Sequence, residues 1–171
     1  MGRKGYDLQK GYAIMVYLII LSVVLSVAMA IVAAKKAKEL PDSVSSFSYY
    51  VGDVRFSLWA TMTAAILLFS SLHALPPKHA YIAGMMSVGL LMVAASPCYR
   101  TENKVLHYVG GYLFGLVSQI VVALLIPWLL MLWVLFPLVF IRKNWKENAT
   151  FIAEGICYTT LVGSLILSLL S

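Results

Sequence analysis

Val105–Ile141 reads VLHYVGGYLFGLVSQIVVALLIPWLLMLWVLFPLVFI, 37 residues without a single Asp, Glu, Lys or Arg. As one α-helix it would be roughly 55 Å long, against about 30 Å of hydrocarbon in a bilayer. Two helices fit if the chain turns near Ile126-Pro127-Trp128, where proline removes a backbone donor and tryptophan is a usual interfacial residue. No polar loop marks this turn. A re-entrant or strongly kinked segment, with one crossing fewer, is the alternative.

The same uncharged pattern extends to both sides. Gly11–Ala34, Phe56–Pro77 and His79–Tyr99 carry no formal charge, and Asn148–Ser171 carries only Glu154. A charge at the centre of hydrocarbon costs at least ~2.5 kcal/mol, so such runs read as membrane spans. The prediction is an all-α polytopic transmembrane helix bundle, one integral membrane domain over residues 1–171. Its six spans lie at about 12–34, 55–74, 80–96, 105–125, 127–141 and 150–170, with five spans as the alternative. Pro76-Pro77 cannot continue the second helix, and Pro97 is expected to end the third. Arg3, Lys4 and Lys10 before an apolar run resemble a signal peptide, but 24 apolar residues exceed the ~7–15 of a signal core. The segment is read as a retained first helix.

Composition agrees. The chain is 61% hydrophobic and 12% charged, with a mean hydropathy of +0.88, outside the range of soluble domains. The polar stretch 35–55 is too short for a core of its own. The net charge of +6 is scattered in ones to threes beside apolar runs, which favours anionic lipid headgroups over nucleic acid as a partner. With six spans, Lys35, Lys36, Lys38, Arg55, Arg100, Lys104, Arg142, Lys143 and Lys146 share one face, which the positive-inside rule assigns to the cytoplasm, leaving both termini outside; Arg3, Lys4 and Lys10 argue the other way. A bacterial inner membrane is the expected location, an organelle membrane the alternative. Cys98 and Cys157 have no spacing typical of a metal knuckle or a disulfide framework.

Small or polar residues recur every four positions, which places each set on one helix face. These are Ser22, Ser26, Ala30 and Ala34; Asp53, Ser57, Thr61, Ala65 and, further on, His73; and His107, Gly111, Gly115 and Gln119. Close helix packing in lipid accounts for the small members. Six spans bring Asp53, His107 and Glu154 to one membrane face and leave His73 and His79 at the other, so the three histidines cannot share a zinc ion. Intramembrane ionisable groups turn inward and find partners. The candidate ligand-binding set is therefore His107, Gly111, Gln119, Glu154, Asp53 and Tyr158, with Asp53 expected to cap the second helix. The simpler reading of a His107–Glu154 pair is a hydrogen bond locking two helices together. No catalytic residue, metal site or cofactor is expected.

Ser48-Tyr49-Tyr50-Val51-Gly52-Asp53, then Ala95-Ser96-Pro97, then Leu106-His107 followed by Gly110 and Gly111, occur in an order that resembles the six-helix membrane superfamily of bacterial domains related to the eukaryotic DRAM and Frag proteins. His107 and Gly111 match that group's histidine and small residue at the opening of the fourth helix. The resemblance covers about residues 12–170. It implies a six-helix lipid-facing bundle, no assigned reaction, and relatives linked to lipid homeostasis and membrane signalling. The chain departs from the pattern by its shortness and by the missing polar turn before Trp128. It is unlike intramembrane zinc hydrolases of the ceramidase type, since Ser70 and His73 are three apart and no histidine follows His107. The expected function is non-enzymatic: lipid or amphiphile binding, or membrane organisation. The alternatives are an accessory subunit of a larger membrane complex and a small proton- or metal-coupled transporter. Membrane lipids, and protein partners within the membrane, are the implied partners.

Overall fold

The uncharged runs become helices in a computed structural model, which describes residues 3–99, 104–141 and 147–171. In chain order these are α1 (Arg3–Ala37), α2 (Phe47–Val51), α3 (Asp53–Ala74), a 3-10 turn at Pro77–His79, α4 (Ala80–Ala94), α5 (Ser96–Tyr99), α6 (Lys104–Leu125), a 3-10 helix over Pro127–Phe140, and α7 (Ala149–Leu170). Among the described residues there is no strand. Gly11–Ala37, Asp53–Ala74, His107–Leu125 and Ala149–Leu170 are long and apolar enough to cross a membrane.

Several boundaries differ from the expected ones. α1 continues through Lys35 and Lys36, whose charges suit the negative end of the helix dipole. It stops where Lys38 adopts a left-handed φ of 62°. The expected polar hinge contains α2, and the cap of α3 is Gly52, at φ 93°, rather than Asp53, which begins the helix itself. α4 ends at Ala94, and Pro97 is accommodated within α5 instead of terminating α4.

The long uncharged run breaks at Ile126, whose φ of −141° and ψ of 74° interrupt the helix, and Pro127 starts the next one. That next helix is 3-10, not α. At about 2.0 Å per residue its 14 residues reach ~28 Å, where an α-helix of equal length reaches ~21 Å.

Chain direction reverses from each long helix to the next. Ser87 Oγ donates to Ala64 O across the α3–α4 hairpin at 3.3 Å. Gly89 of α4 lies against Phe114 of α6, while Met92 and Val93 lie against Gly110, so these helices are antiparallel. Gly115 of α6 faces Cys157 of α7, and Gln119 reaches Thr160, so α6 and α7 are parallel. The 3-10 helix runs against both, with Leu129 beside Gly163. One end of the bundle therefore carries the Pro76–Lys78 hinge, the start of α1 and the end of α7. The other carries residues 38–46, which form a strap over the start of α7.

Helix approach is closest at Gly89 and Gly110. A Cβ on Gly89 would lie 2.5 Å from the Phe114 backbone nitrogen, and one on Gly110 would lie 2.6 Å from Met92 Cβ. Only glycine permits this distance, and in lipid, where no hydrophobic force joins helices, such packing is a main source of cohesion. Ile19, Phe56, Leu67, Met86, Val121, Leu161 and Leu165 form the fully buried interior. The stripe expected to face inward on α3 is turned outward: Asp53, Thr61, Ala65 and His73 are exposed. The packed face is Phe56, Ala60, Thr63, Ala64, Leu67, Ser70 and Ser71.

Candidate functional site

Polar side chains that an apolar chain carries into its interior need partners there, and several of those described are grouped in three clusters. The first closes the strap over α7. Asn148 Nδ2 donates to the carbonyls of Leu40 at 2.8 Å and Pro41 at 3.3 Å. The Phe151 amide donates to Asp42 O at 3.1 Å. Glu154 Oε2 accepts the Val44 amide at 2.6 Å. Helix starts leave amides without partners, and here the strap supplies the missing acceptor while the Glu154 carboxylate holds the strap in return. Phe47, only 2% exposed, anchors the next segment with its ring 6.2 Å from Trp59 and 5.9 Å from Phe151.

The second cluster joins α1, α3 and α7. Ser22 Oγ and Tyr158 OH share a hydrogen bond of 2.7 Å. Ser26 Oγ lies 3.1 Å from the same hydroxyl and 2.7 Å from Ser22 O, and Trp59 Nε1 donates to Ser26 Oγ at 3.3 Å. Trp59 is a half-buried crosslink.

The third cluster surrounds Gln119. Its Oε1 accepts from Trp133 Nε1 at 2.9 Å and from Thr160 Oγ1 at 3.1 Å. Its Nε2 donates to Ser118 Oγ at 3.1 Å and Cys157 O at 3.4 Å. One amide thus ties α6, α7 and the 3-10 helix together. Trp133 and Thr160 were not legible as site residues, although an indole in the middle of an apolar run signals that its N–H needs a partner.

The candidate ligand set is distributed over these places. Glu154 and Tyr158 lie on α7, four residues apart, in the first and second clusters, and Gln119 is the centre of the third. His107 is half-buried, its ring 5.7 Å from that of Tyr108, on the α6 face that carries Gly110 and Phe114 and so turns toward α4. Among the described residues no hydrogen bond or ion pair joins His107 to Glu154. The two share the strap end of the bundle, but counting back from Gly115 and Cys157 along parallel helices offsets them by about 7 Å in depth. A Cβ at Gly111 would meet nothing within 4 Å, so that glycine is not a close-packing position. Asp53 is exposed at the start of α3. Among the described residues, no three His, Cys, Asp or Glu side chains are grouped as metal ligands.

Two concave features stand out among the described residues. A groove of about 350 Å³ runs between the 3-10 helix and α7, lined by Leu132, Leu135, Phe151, Ile152, Gly155, Ile156 and Thr159. A pocket of about 560 Å³ lies at the hinge end, between Tyr12 and Ala13 of α1, His73 and Ala74 of α3, and Ser168–Ser171.

No protein-family model, curated protein or solved structure matches the chain. The likeness to the DRAM and Frag group therefore rests on its short motifs alone.

Proposed function

We propose that the chain is a non-enzymatic multi-pass membrane protein of six spans that binds the acyl chain of a lipid or similar amphiphile in the groove between the 3-10 helix and α7. The groove itself carries this reading. Of its seven lining residues five carry apolar side chains, Gly155 carries none and Thr159 is the polar one, and it opens on the surface of the bundle. Residues 151 to 159 extend it for about 12 Å along α7. Its two walls are joined at the Thr159 end by the Gln119 cluster and by Leu129 against Gly163, which sets their spacing there. A groove kept open in this way admits a flexible hydrocarbon chain without reorganising.

Six spans are the reading supported by the alternating chain direction and by the ~28 Å reach of the 3-10 helix. The outward-facing residues suit hydrocarbon: Tyr17, Val24, Met131, Val134 and Leu116 are each more than half exposed.

The test is native mass spectrometry of the full chain in mild detergent. Gly155 is exposed and a Cβ there meets nothing within 4 Å, so Gly155→Phe fills the groove without straining the bundle. Bound lipid should be seen with the parent protein and lost with this variant. Retention of the same lipid by Gly155→Phe at unchanged melting temperature rejects the proposal.

A second reading, an accessory subunit, is favoured by Tyr112. It is 71% exposed about 12 Å along α6 from its start, with Tyr108 and Leu116 on the same stripe, and a tyrosine hydroxyl at that depth is better matched by a partner helix than by lipid tails. A stoichiometric copurifying membrane protein that is lost on Tyr112→Ala would favour it.

A further inference from the structure

We propose that the hinge-end pocket is a second site, which takes the uncharged, hydroxyl-bearing headgroup of a membrane glyceride, a monoacylglycerol or diacylglycerol. The inference rests on the lipid-binding reading only in placing the chain in a bilayer, because this pocket and the α7 groove share no residue.

The lining selects the headgroup class. Among the described residues of the lining none is Asp, Glu, Lys or Arg, and Tyr12, His73, Ser168 and Ser171 stand among apolar neighbours. A phosphate would find no fixed cation in this lining, whereas a neutral diol finds several donors and acceptors. His73 is preset for the task. Its Nδ1 lies 2.8 Å from Phe69 O, and a carbonyl only accepts, so Nδ1 donates there and Nε2 is left to bond a ligand hydroxyl. Ala13, Ala74 and Leu170 supply the apolar flank, and Leu170 is 68% exposed, which leaves a lateral way out for an acyl tail.

A second observation concerns the wall beneath. Ser70 and Ser71 are fully buried, and their hydroxyls have no hydrogen-bond partner among the described residues. They precede Ala74 by four and three residues, so both lie on its face of α3, one turn deeper. Elsewhere the buried hydroxyls of Thr160 and Ser164 bond a carbonyl of their own helix. Two adjacent buried hydroxyls that do not are a polar spot one turn below Ala74, just inside the lining. The direct contact with the glyceride is made by the exposed lining, with the His73 ring as its polar point.

The experiment titrates detergent-solubilised full chain with monoacylglycerol and, separately, with phosphatidylglycerol, reading occupancy by native mass spectrometry. Three variants are compared: His73→Leu, Ala13→Phe and the groove variant Gly155→Phe. His73 and Ala13 are exposed, so their variants keep the fold, and melting temperatures verify this. Monoacylglycerol affinity should fall about tenfold with His73→Leu, the scale of one lost hydrogen bond to a ligand. The His73-dependent share of the binding should be blocked by Ala13→Phe and unaffected by Gly155→Phe. Monoacylglycerol binding that ignores His73→Leu and Ala13→Phe overturns the proposal, as does phosphatidylglycerol binding that depends on the same two residues equally. Loss of acyl binding through Gly155→Phe alone would uphold the groove while rejecting this pocket, so the two proposals fail separately.

Discussion

Replacing Gln119 by Leu tests whether the bundle is held by polar crosslinks, because the substitution keeps the volume nearly constant and removes only the amide. Four hydrogen bonds meet there, but they are not equally exposed to loss. Thr160 Oγ1 keeps alternative acceptors at Ile156 O, 2.8 Å, and Cys157 O, 3.0 Å, and Ser118 Oγ keeps Gly115 O at 2.7 Å. Trp133 Nε1 has only Gln119 Oε1, at 2.9 Å, among the described residues. The cost of Gln119→Leu is thus mainly one orphaned indole N–H, about 1–3 kcal/mol. Trp133→Phe removes the donor instead and leaves Gln119 with Thr160. In the double variant neither the donor nor the acceptor remains, so its destabilisation should be less than the sum of the two singles. Polar contacts between membrane helices show coupling energies averaging ~0.6 kcal/mol with a maximum near 1.7. The assay is thermal unfolding in one detergent at one protein concentration, followed by far-ultraviolet circular dichroism, since one variant lacks a tryptophan. Singles that add within about 0.3 kcal/mol would refute the reasoning, for contacting partners must couple.

Three further outcomes follow from the same geometry. Gly89→Ala should destabilise by about 1–3 kcal/mol, because the methyl meets backbone atoms of Phe114 and Gly110 that cannot rotate away; thermal unfolding reads it, and a neutral result would mean that α4 and α6 separate without cost. Tyr158→Phe removes the hydroxyl shared by Ser22 and Ser26 and should cost about 1 kcal/mol, whereas the exposed Tyr81 should tolerate the same change. Glu154→Leu should release the strap and speed hydrogen exchange of the Val44 amide about tenfold, the equivalent of ~1.4 kcal/mol for one lost bond, while Glu154→Gln, which retains an acceptor oxygen, should stay close to the parent.

The helical architecture was legible because hydrocarbon penalises charge so heavily that Lys, Arg, Asp and Glu collect at the ends of the helices. Ile126-Pro127 was readable as a break for the same elementary reason that any proline is, the missing donor and the fixed φ. Which face of each helix packs was not equally readable. On α1 the four-residue spacing of Ser22 and Ser26 does mark the buried side, as Ser22 is 1% exposed. On α3 the same spacing of Asp53, Thr61 and Ala65 marks the outer side. In water, apolar residues identify the inside; in lipid both sides of a helix are apolar, and small residues on the outer face cost nothing. The pattern that decides α1 therefore has no power over α3.

The clusters were legible only as far as their chemistry is local. Glu154, Tyr158 and Gln119 were identifiable as groups that need partners, since each places a strong donor or acceptor in an apolar helix. Their partners were not, because these come from elements remote in sequence: Val44 is 110 residues from Glu154, and Ser22 is 136 from Tyr158. The Trp133 partner illustrates a further reason. Had Pro127–Phe140 been α-helical, each residue would turn by 100° and rise 1.5 Å; in the 3-10 form it turns by about 120° and rises ~2.0 Å. Over the six residues from Pro127 to Trp133 this changes the indole's direction by about 120° and its depth by ~3 Å. The Trp133–Gln119 bond is thus a consequence of helix type. Anything that returned this segment to α geometry would break the bond and shorten the span by about 7 Å together.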